Sequence, residues 1–105
     1  MSEPDADAAG TTGPTADSAR DVRVHGRVQG VFFRATCVDQ AQQTGVRGWV
    51  RNEPDGTVRA HFEGDADAVE QMVAWCHQGS ARAEVTRVES DHAEVEGCNG
   101  FEQRG

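Results

Sequence analysis

Hydrophobic and polar residues alternate in four stretches of the chain, and this period of two predicts four β-strands. In the third stretch Val58, Ala60 and Phe62 fall on one face, and Gly64 is expected to end that strand. In the fourth stretch Val85 and Val88 are the expected anchors. The four strands are predicted at residues 21–28, 46–52, 57–63 and about 83–94. A short edge strand is possible at residues 101–103.

Two further stretches carry the period of a helix. The first runs over residues 35–44 and ends at Gly45, which is a typical left-handed helix cap. Three apolar residues are expected to share the core-facing side of this helix. They are Ala35, Val38 and Ala41.

The second helix is expected to begin at Asp65 or Asp67, since aspartate caps helix N-termini well, and to end at Gly79. Its apolar residues follow the spacing i, i+3, i+4 and i+7, which is typical of a helix that packs on a core. These residues are Val69, Met72, Val73 and Cys76.

The order of the predicted elements is strand, helix, strand, strand, helix, strand. This is the split βαβ pattern of a ferredoxin-like α+β sandwich, with one antiparallel sheet and two helices on one face. The turn at residues 53–56 contains Pro54 and Asp55-Gly56 and predicts a hairpin between the second and third strands.

Residues 1–20 have a different composition from the rest. They are rich in Asp, Ala, Gly, Thr, Pro and Ser and have no large apolar residue after Met1. Such a segment buries too little surface to offset its ordering entropy. We therefore expect a disordered tail over residues 1–20 and one folded domain over residues 21–105.

The segment Gly26–Arg34 connects the first strand to the first helix and carries the clearest candidate chemistry. Glycines allow close approach to a ligand, and a helix N-terminus presents unpaired N–H groups that favour anions. With Arg34 beside them, such groups suit a phosphate. From these residues alone, a tight connection with one exposed arginine is an equally good interpretation. Neither the P-loop nor the dinucleotide-binding pattern is present, and the chain has no lysine.

The net charge of the chain limits which partners it can bind. The net charge is −8 at pH 7, with 18 acidic residues and 10 basic ones, all of them arginine. This argues against a general nucleic-acid binder, because such a protein must neutralise phosphates. Two explanations for the acidity stay open: adaptation to a salt-rich cytoplasm, and ordinary acidity combined with codon bias against lysine.

The patterns of cysteine, histidine and hydropathy argue against a disulfide-stabilised, metal-binding, membrane-spanning or secreted protein. The three cysteines (Cys37, Cys76 and Cys98) form no disulfide framework, and the four scattered histidines show no metal-ligand spacing. We therefore expect neither a metal nor a cofactor. Cys37 and Cys76 are expected to be small buried groups. No apolar run is long enough to cross a membrane, and no secretory signal is evident, so a cytoplasmic monomer is expected.

Two longer motifs make the chain resemble the acylphosphatase family over residues 20–104. The first is Gly26-x-Val28-Gln29-Gly30-Val31-x-Phe33-Arg34. The second is Gly48-Trp49-Val50-Arg51-Asn52, followed by Asp55-Gly56-Thr57-Val58.

The resemblance implies the hydrolysis of small acyl phosphates to a carboxylate and inorganic phosphate, without a metal. It implies that Arg34 binds the substrate phosphate and that Asn52 holds the attacking water. Backbone N–H groups of the loop at residues 28–33 would complete the phosphate site, and these belong to Gln29, Gly30, Val31, Phe32 and Phe33. Family members often have an apolar residue where this chain has Gln103.

A second interpretation comes from another functional class. Domains of the same fold that bind phosphate or carbamoyl phosphate without catalysis occur within larger maturation proteins. The presence of Asn52 together with Arg34 favours the enzyme.

Overall fold

The computed structural model describes residues 17–105, which form five strands and two helices. The first half contains β1 (Asp17–Arg27), α1 (Phe33–Thr44) and β2 (Arg47–Asn52). The second half contains β3 (Val58–Asp65), α2 (Ala66–Gln78), β4 (Glu84–His92) and β5 (Phe101–Arg104).

The five strands form one sheet in the order β4-β1-β3-β2-β5, and both helices pack on it. The predicted ferredoxin-like sandwich is therefore confirmed. The sheet is not antiparallel throughout, however, because β5 pairs with β2 in parallel. The edge strand expected at residues 101–103 is present and extends to Arg104.

Two boundaries differ from the sequence prediction. β1 begins at Asp17 because Asp17–Arg20 pair with Phe62–Asp65 of β3, so the last four residues of the expected tail belong to the sheet. The first 16 residues of that tail lie outside the described part of the chain. Gly64 does not end β3 but continues it at φ 143°, and Asp65 then caps α2 by accepting a hydrogen bond from the Ala68 N–H.

The core lies between the sheet and the helices. As predicted, Cys37 and Cys76 are fully buried there, and Val69, Met72 and Cys76 of α2 face the same core. In α1, however, the buried residues are Phe33, Cys37 and Ala41, and Ala35 is exposed. The prediction for Ala35 was wrong because residues 33, 37 and 41 define the buried side. A residue two positions away lies about 200° around a helix with 3.6 residues per turn.

The opposite face of the sheet carries a second, polar layer. Trp49 and His61 alternate along their strands with the core residues Val50, Ala60 and Phe62, and their rings stack with centroids 6.0 Å apart. The segment of residues 93–100 lies against this face through hydrogen bonds to Glu63 and Trp49.

Candidate active site

The connection between β1 and α1 leaves the N-terminus of α1 open. Phe32 occupies the cap position in the left-handed conformation, with φ 64°, and provides no side-chain cap. No acidic residue lies in the first turn. The first N–H groups of a helix have no partner within the helix and attract negative charge. An anion bound here would supply the acceptor that a capping side chain normally provides.

A pocket of about 270 Å³ lies at this helix end and brings Arg34 and Asn52 together. Of the predicted site residues, Gly30, Phe32 and Phe33 also line it. Gly30 has φ 74°, a conformation that glycine adopts readily and other residues rarely adopt. Val28, which begins the predicted loop, lines the pocket as well, and so do two residues that were not predicted to belong to the site, Ala35 and Gln103.

Gln29 and Val31 direct their side chains away from the pocket. The Gln29 amide donates to the backbone carbonyls of Glu53 at 2.8 Å and Thr57 at 2.9 Å. It thereby ties the loop to the β2–β3 turn, which follows Asn52. The Val31 side chain is buried, and its carbonyl accepts a hydrogen bond of 2.6 Å from the Ser80 hydroxyl. Only the backbone of these two residues is left for a ligand.

Arg34 is held by the last strand of the sheet. Its Nη1 donates to the backbone carbonyl of Arg104 at 3.1 Å, and the neighbouring Gln103 lines the pocket. This contact with the Arg104 carbonyl was not predicted from the sequence, because it depends on the parallel pairing of β5 with β2. The carbonyl fixes the direction of the guanidinium and leaves its remaining N–H donors for a ligand.

Glu63 organises the segment that leads to β5. Its fully buried carboxylate accepts the N–H groups of Glu96, Gly97 and Cys98 at 2.7, 3.1 and 2.8 Å. It also lies 2.8 Å from His61 Nε2. Three consecutive backbone N–H groups around a carboxylate form an anion nest. Glu63 thus fixes the chain shortly before β5 and, through β5, the carbonyl that holds Arg34.

His61 shares its two ring nitrogens between two carboxylates. Nδ1 lies 2.8 Å from Asp21 and Nε2 lies 2.8 Å from Glu63. Burial alone would lower the pKa of His61, but the hydrogen bonds to Asp21 and Glu63 outweigh burial and raise it. Burial likewise acts to raise the pKa of Glu63, and hydrogen bonds from His61, Glu96 and Cys98 lower it overall. This network was not predicted from the sequence, in which His61 is an isolated histidine.

The fold also brings possible metal ligands together that are far apart in the sequence. Ligand atoms of His61, Glu96 and Cys98 lie within 4.8 Å of one another. The sequence has no local spacing that indicates this cluster, and both nitrogens of His61 already face the carboxylates of Asp21 and Glu63.

Known proteins resemble this chain over most of its length. The Acylphosphatase family model matches residues 20–103. The chain is 54% identical over 89 residues to an acylphosphatase of Haloarcula marismortui, covering 85% of this chain and 98% of the relative. It is 52% identical over 84 residues to an acylphosphatase of Thermococcus kodakarensis, covering 80% and 92% respectively.

Solved structures give the same result. An acylphosphatase from Coxiella burnetii superposes with a TM-score of 0.82 at 31% identity, covering 86% of this chain and 95% of that one. An acylphosphatase from Bacillus subtilis superposes with a TM-score of 0.81 at 31% identity, covering 84% and 99%. Full-length HypF matches over only 12% of its chain at 22% identity, which shows a shared fold alone. Within residues 17–105, neither helix is long and apolar enough to cross a membrane.

Proposed function

The chain belongs to the acylphosphatase family and hydrolyses acyl phosphates to a carboxylate and inorganic phosphate, and we propose that this reaction takes place in the pocket between α1 and β2. The observation that carries the proposal is the meeting of Arg34 and Asn52 at the uncapped N-terminus of α1.

The phosphate of the substrate binds at the helix end. Backbone N–H groups of the loop, from Gln29 to Phe33, surround its oxygens, and the Arg34 guanidinium donates from the side. Phosphoryl transfer depends mainly on positioning and on stabilising charge at the equatorial oxygens. The link from Gln29 to the β2–β3 turn and the link from Arg34 to Arg104 support both requirements, because they fix the two sides of the pocket.

Asn52 orients the attacking water. Its side-chain amide can hold a water by hydrogen bonds but is too weak a base to remove a proton, so substrate oxygens receive it. The water attacks in line, and the carboxylate leaves from the opposite side of the phosphorus. A carboxylate is a good leaving group and needs little protonation. We propose that the reaction therefore proceeds without a metal or another cofactor.

Four variants and a chelator test these roles. With an aryl acyl phosphate as substrate and chelator present, Arg34→Ala should lower the rate on the order of 10³-fold or more, by analogy with arginine fingers. Arg34→Lys should also fail, because an ammonium group cannot form the bidentate fork. Asn52→Ala should lose about 10²- to 10³-fold, as for other single positioning groups. Arg82→Ala, an exposed arginine elsewhere, is the matched control.

The outcomes separate the two functional classes. If the three pocket variants fold and lose activity while Arg82→Ala keeps it, the proposed roles stand. If the parent binds phosphate but turns over no acyl phosphate in low or high salt, the chain is a binding module instead. Loss of parental activity on adding chelator would contradict the metal-free mechanism.

We further propose that residues 17–105 form one domain, that it works as a cytoplasmic monomer, and that it binds no nucleic acid. The net charge of −8 supports the last point, and a single sheet that carries both helices supports the first.

A further inference from the structure

Phe32 is unusual among the aromatic residues of the described chain. Its side chain is 71% exposed, whereas Phe33, Phe62 and Trp49 are buried. Within residues 17–105, the other exposed large hydrophobic residue is Val95, in the segment before β5. Leaving a phenyl ring in water forgoes the free energy of burying it. A large apolar side chain at this position therefore has no explanation in the stability of the fold.

The backbone at Phe32 adds a second unfavourable feature. Its φ of 64° lies in the left-handed region, which a bulky residue rarely occupies. The conformation is fixed because the Phe32 carbonyl accepts hydrogen bonds from the Thr36 N–H at 3.0 Å and the Thr36 hydroxyl at 2.9 Å. The backbone of Phe32 is therefore fixed where the residue lines the pocket, and strained residues of this kind often occur at functional sites.

The lining of the pocket has a polar and an apolar part. Arg34, Asn52 and the backbone at Gly30 supply the polar part, where the phosphate binds. Val28, Phe33, Ala35 and Phe32 supply carbon surface. Val28 and Phe33 are buried by the fold itself, so Phe32 offers the exposed aromatic face.

We propose that the Phe32 ring packs against the acyl group of the substrate and makes the enzyme prefer aromatic or large apolar acyl phosphates to acetyl phosphate. This inference rests on the proposed function of the pocket. The phosphate is the same in every substrate, so contacts to it cannot distinguish acyl groups. A ring packed on the acyl group can do so, because stacked and apolar contacts grow with the size of the group. Phe32 is a specificity residue in this proposal, and its N–H group keeps its place in the phosphate loop.

The experiment compares kcat/KM for benzoyl phosphate and acetyl phosphate in the parent and in Phe32 variants. Phe32→Asn removes the ring and retains a residue that tolerates the left-handed conformation. Phe32→Leu keeps apolar surface without a ring, and Val95→Ala removes exposed apolar surface far from the loop in sequence. The benzoyl-to-acetyl ratio should fall about tenfold in Phe32→Asn, as expected when one aromatic contact is lost. It should fall less in Phe32→Leu and stay at the parental value in Val95→Ala.

The inhibition constant of inorganic phosphate distinguishes loss of the Phe32 ring from a general disturbance of the loop. A general change in the loop alters the turnover of both substrates and also the inhibition constant of phosphate. Because both substrates are affected alike, such a change leaves the benzoyl-to-acetyl ratio of kcat/KM unchanged. An unchanged ratio in folded Phe32→Asn would overturn the inference, and so would a ratio that falls equally in Val95→Ala. If the parent hydrolyses neither substrate, the proposed function fails before the role of Phe32 is reached.

Discussion

In the loop beside the pocket, the side chain and the backbone of one residue have separate roles. Gln29 belongs to the loop by its backbone, yet its side-chain amide donates to two carbonyls of the neighbouring turn. Glu53 and Thr57, which supply those carbonyls, follow Asn52 closely along the chain. The Gln29 amide therefore helps to set the distance between this loop and Asn52.

Gln29→Leu should lower both stability and activity. Leucine has a similar size but cannot donate, so the carbonyls of Glu53 and Thr57 lose a partner. We expect the free energy of unfolding to fall by about 1–3 kcal/mol, the usual result of leaving partly buried acceptors unpaired. The rate should fall as well, because the loop and Asn52 are no longer held together. Urea unfolding and acyl phosphate turnover measure the two effects.

Gln43→Leu is the matched control, since Gln43 lies exposed on α1. A Gln29→Leu variant as stable and as active as Gln43→Leu would show that the link does not position the site.

At the scale of elements, the buried pair of His61 and Glu63 joins β3 to the segment before β5. The raised pKa of His61 means that its contribution to stability is complete below the unfolded value of about 6.5 and is lost as the pH rises through the folded value. The lowered pKa of Glu63 means the reverse: its contribution is complete above about 4.3 and is lost as the pH falls through the folded value.

The free energy of unfolding attributable to this pair should therefore be largest between about pH 4.3 and pH 6.5. Between these two pH values, Glu63→Gln should lower the free energy of unfolding by about 2 kcal/mol. The hydrogen bonds to a charged carboxylate are lost, and the NH₂ group of the new amide faces backbone N–H groups that are donors themselves. The difference from the parent should shrink in more acidic solution. Urea unfolding across pH measures it, with the exposed Glu94→Gln as control. A constant difference across the whole range would contradict the assigned ionisation states.

Local patterns in the sequence predicted the helices, the hairpin and the loop, because each depends on residues close together in the chain. Arg34 and Asn52 were predicted by motif, and the fold brings them to one pocket. The parallel pairing of β5, the place of Gln103 and the buried pair of His61 and Glu63 were not predicted. Each depends on contacts between segments that are distant in the sequence. The alternation of apolar and polar residues in β3 shows which residues face away from the core, but it does not show which segment covers them.

At the scale of the whole molecule, the net charge of −8 acts on stability through self-repulsion. Relatives from halophilic organisms are among the similar proteins, and the Haloarcula marismortui acylphosphatase is one of them. Salt at about 1 M reduces the screening length to roughly 3 Å from roughly 10 Å at 0.1 M, which weakens repulsion between exposed carboxylates.

We therefore expect the melting temperature and the activity to hold or rise as KCl increases from about 0.1 M to about 1 M. Thermal unfolding followed by circular dichroism measures the first, and acyl phosphate turnover the second. Sodium sulfate at equal ionic strength distinguishes screening from salt-specific effects. Unfolding of the domain on adding KCl would refute adaptation to salt.

The four-residue strand β5 lies at one edge of the sheet and holds Arg34 through a backbone carbonyl. A short edge strand with mostly exposed side chains opens at a lower free energy than the core. When β5 detaches, the guanidinium loses its support and the backbone of β2 becomes a free edge, open to pairing with another chain. We therefore expect inactivation and self-association to begin with the same local opening, before the core unfolds. In the proposed site, a substrate phosphate bound to Arg34 would oppose both.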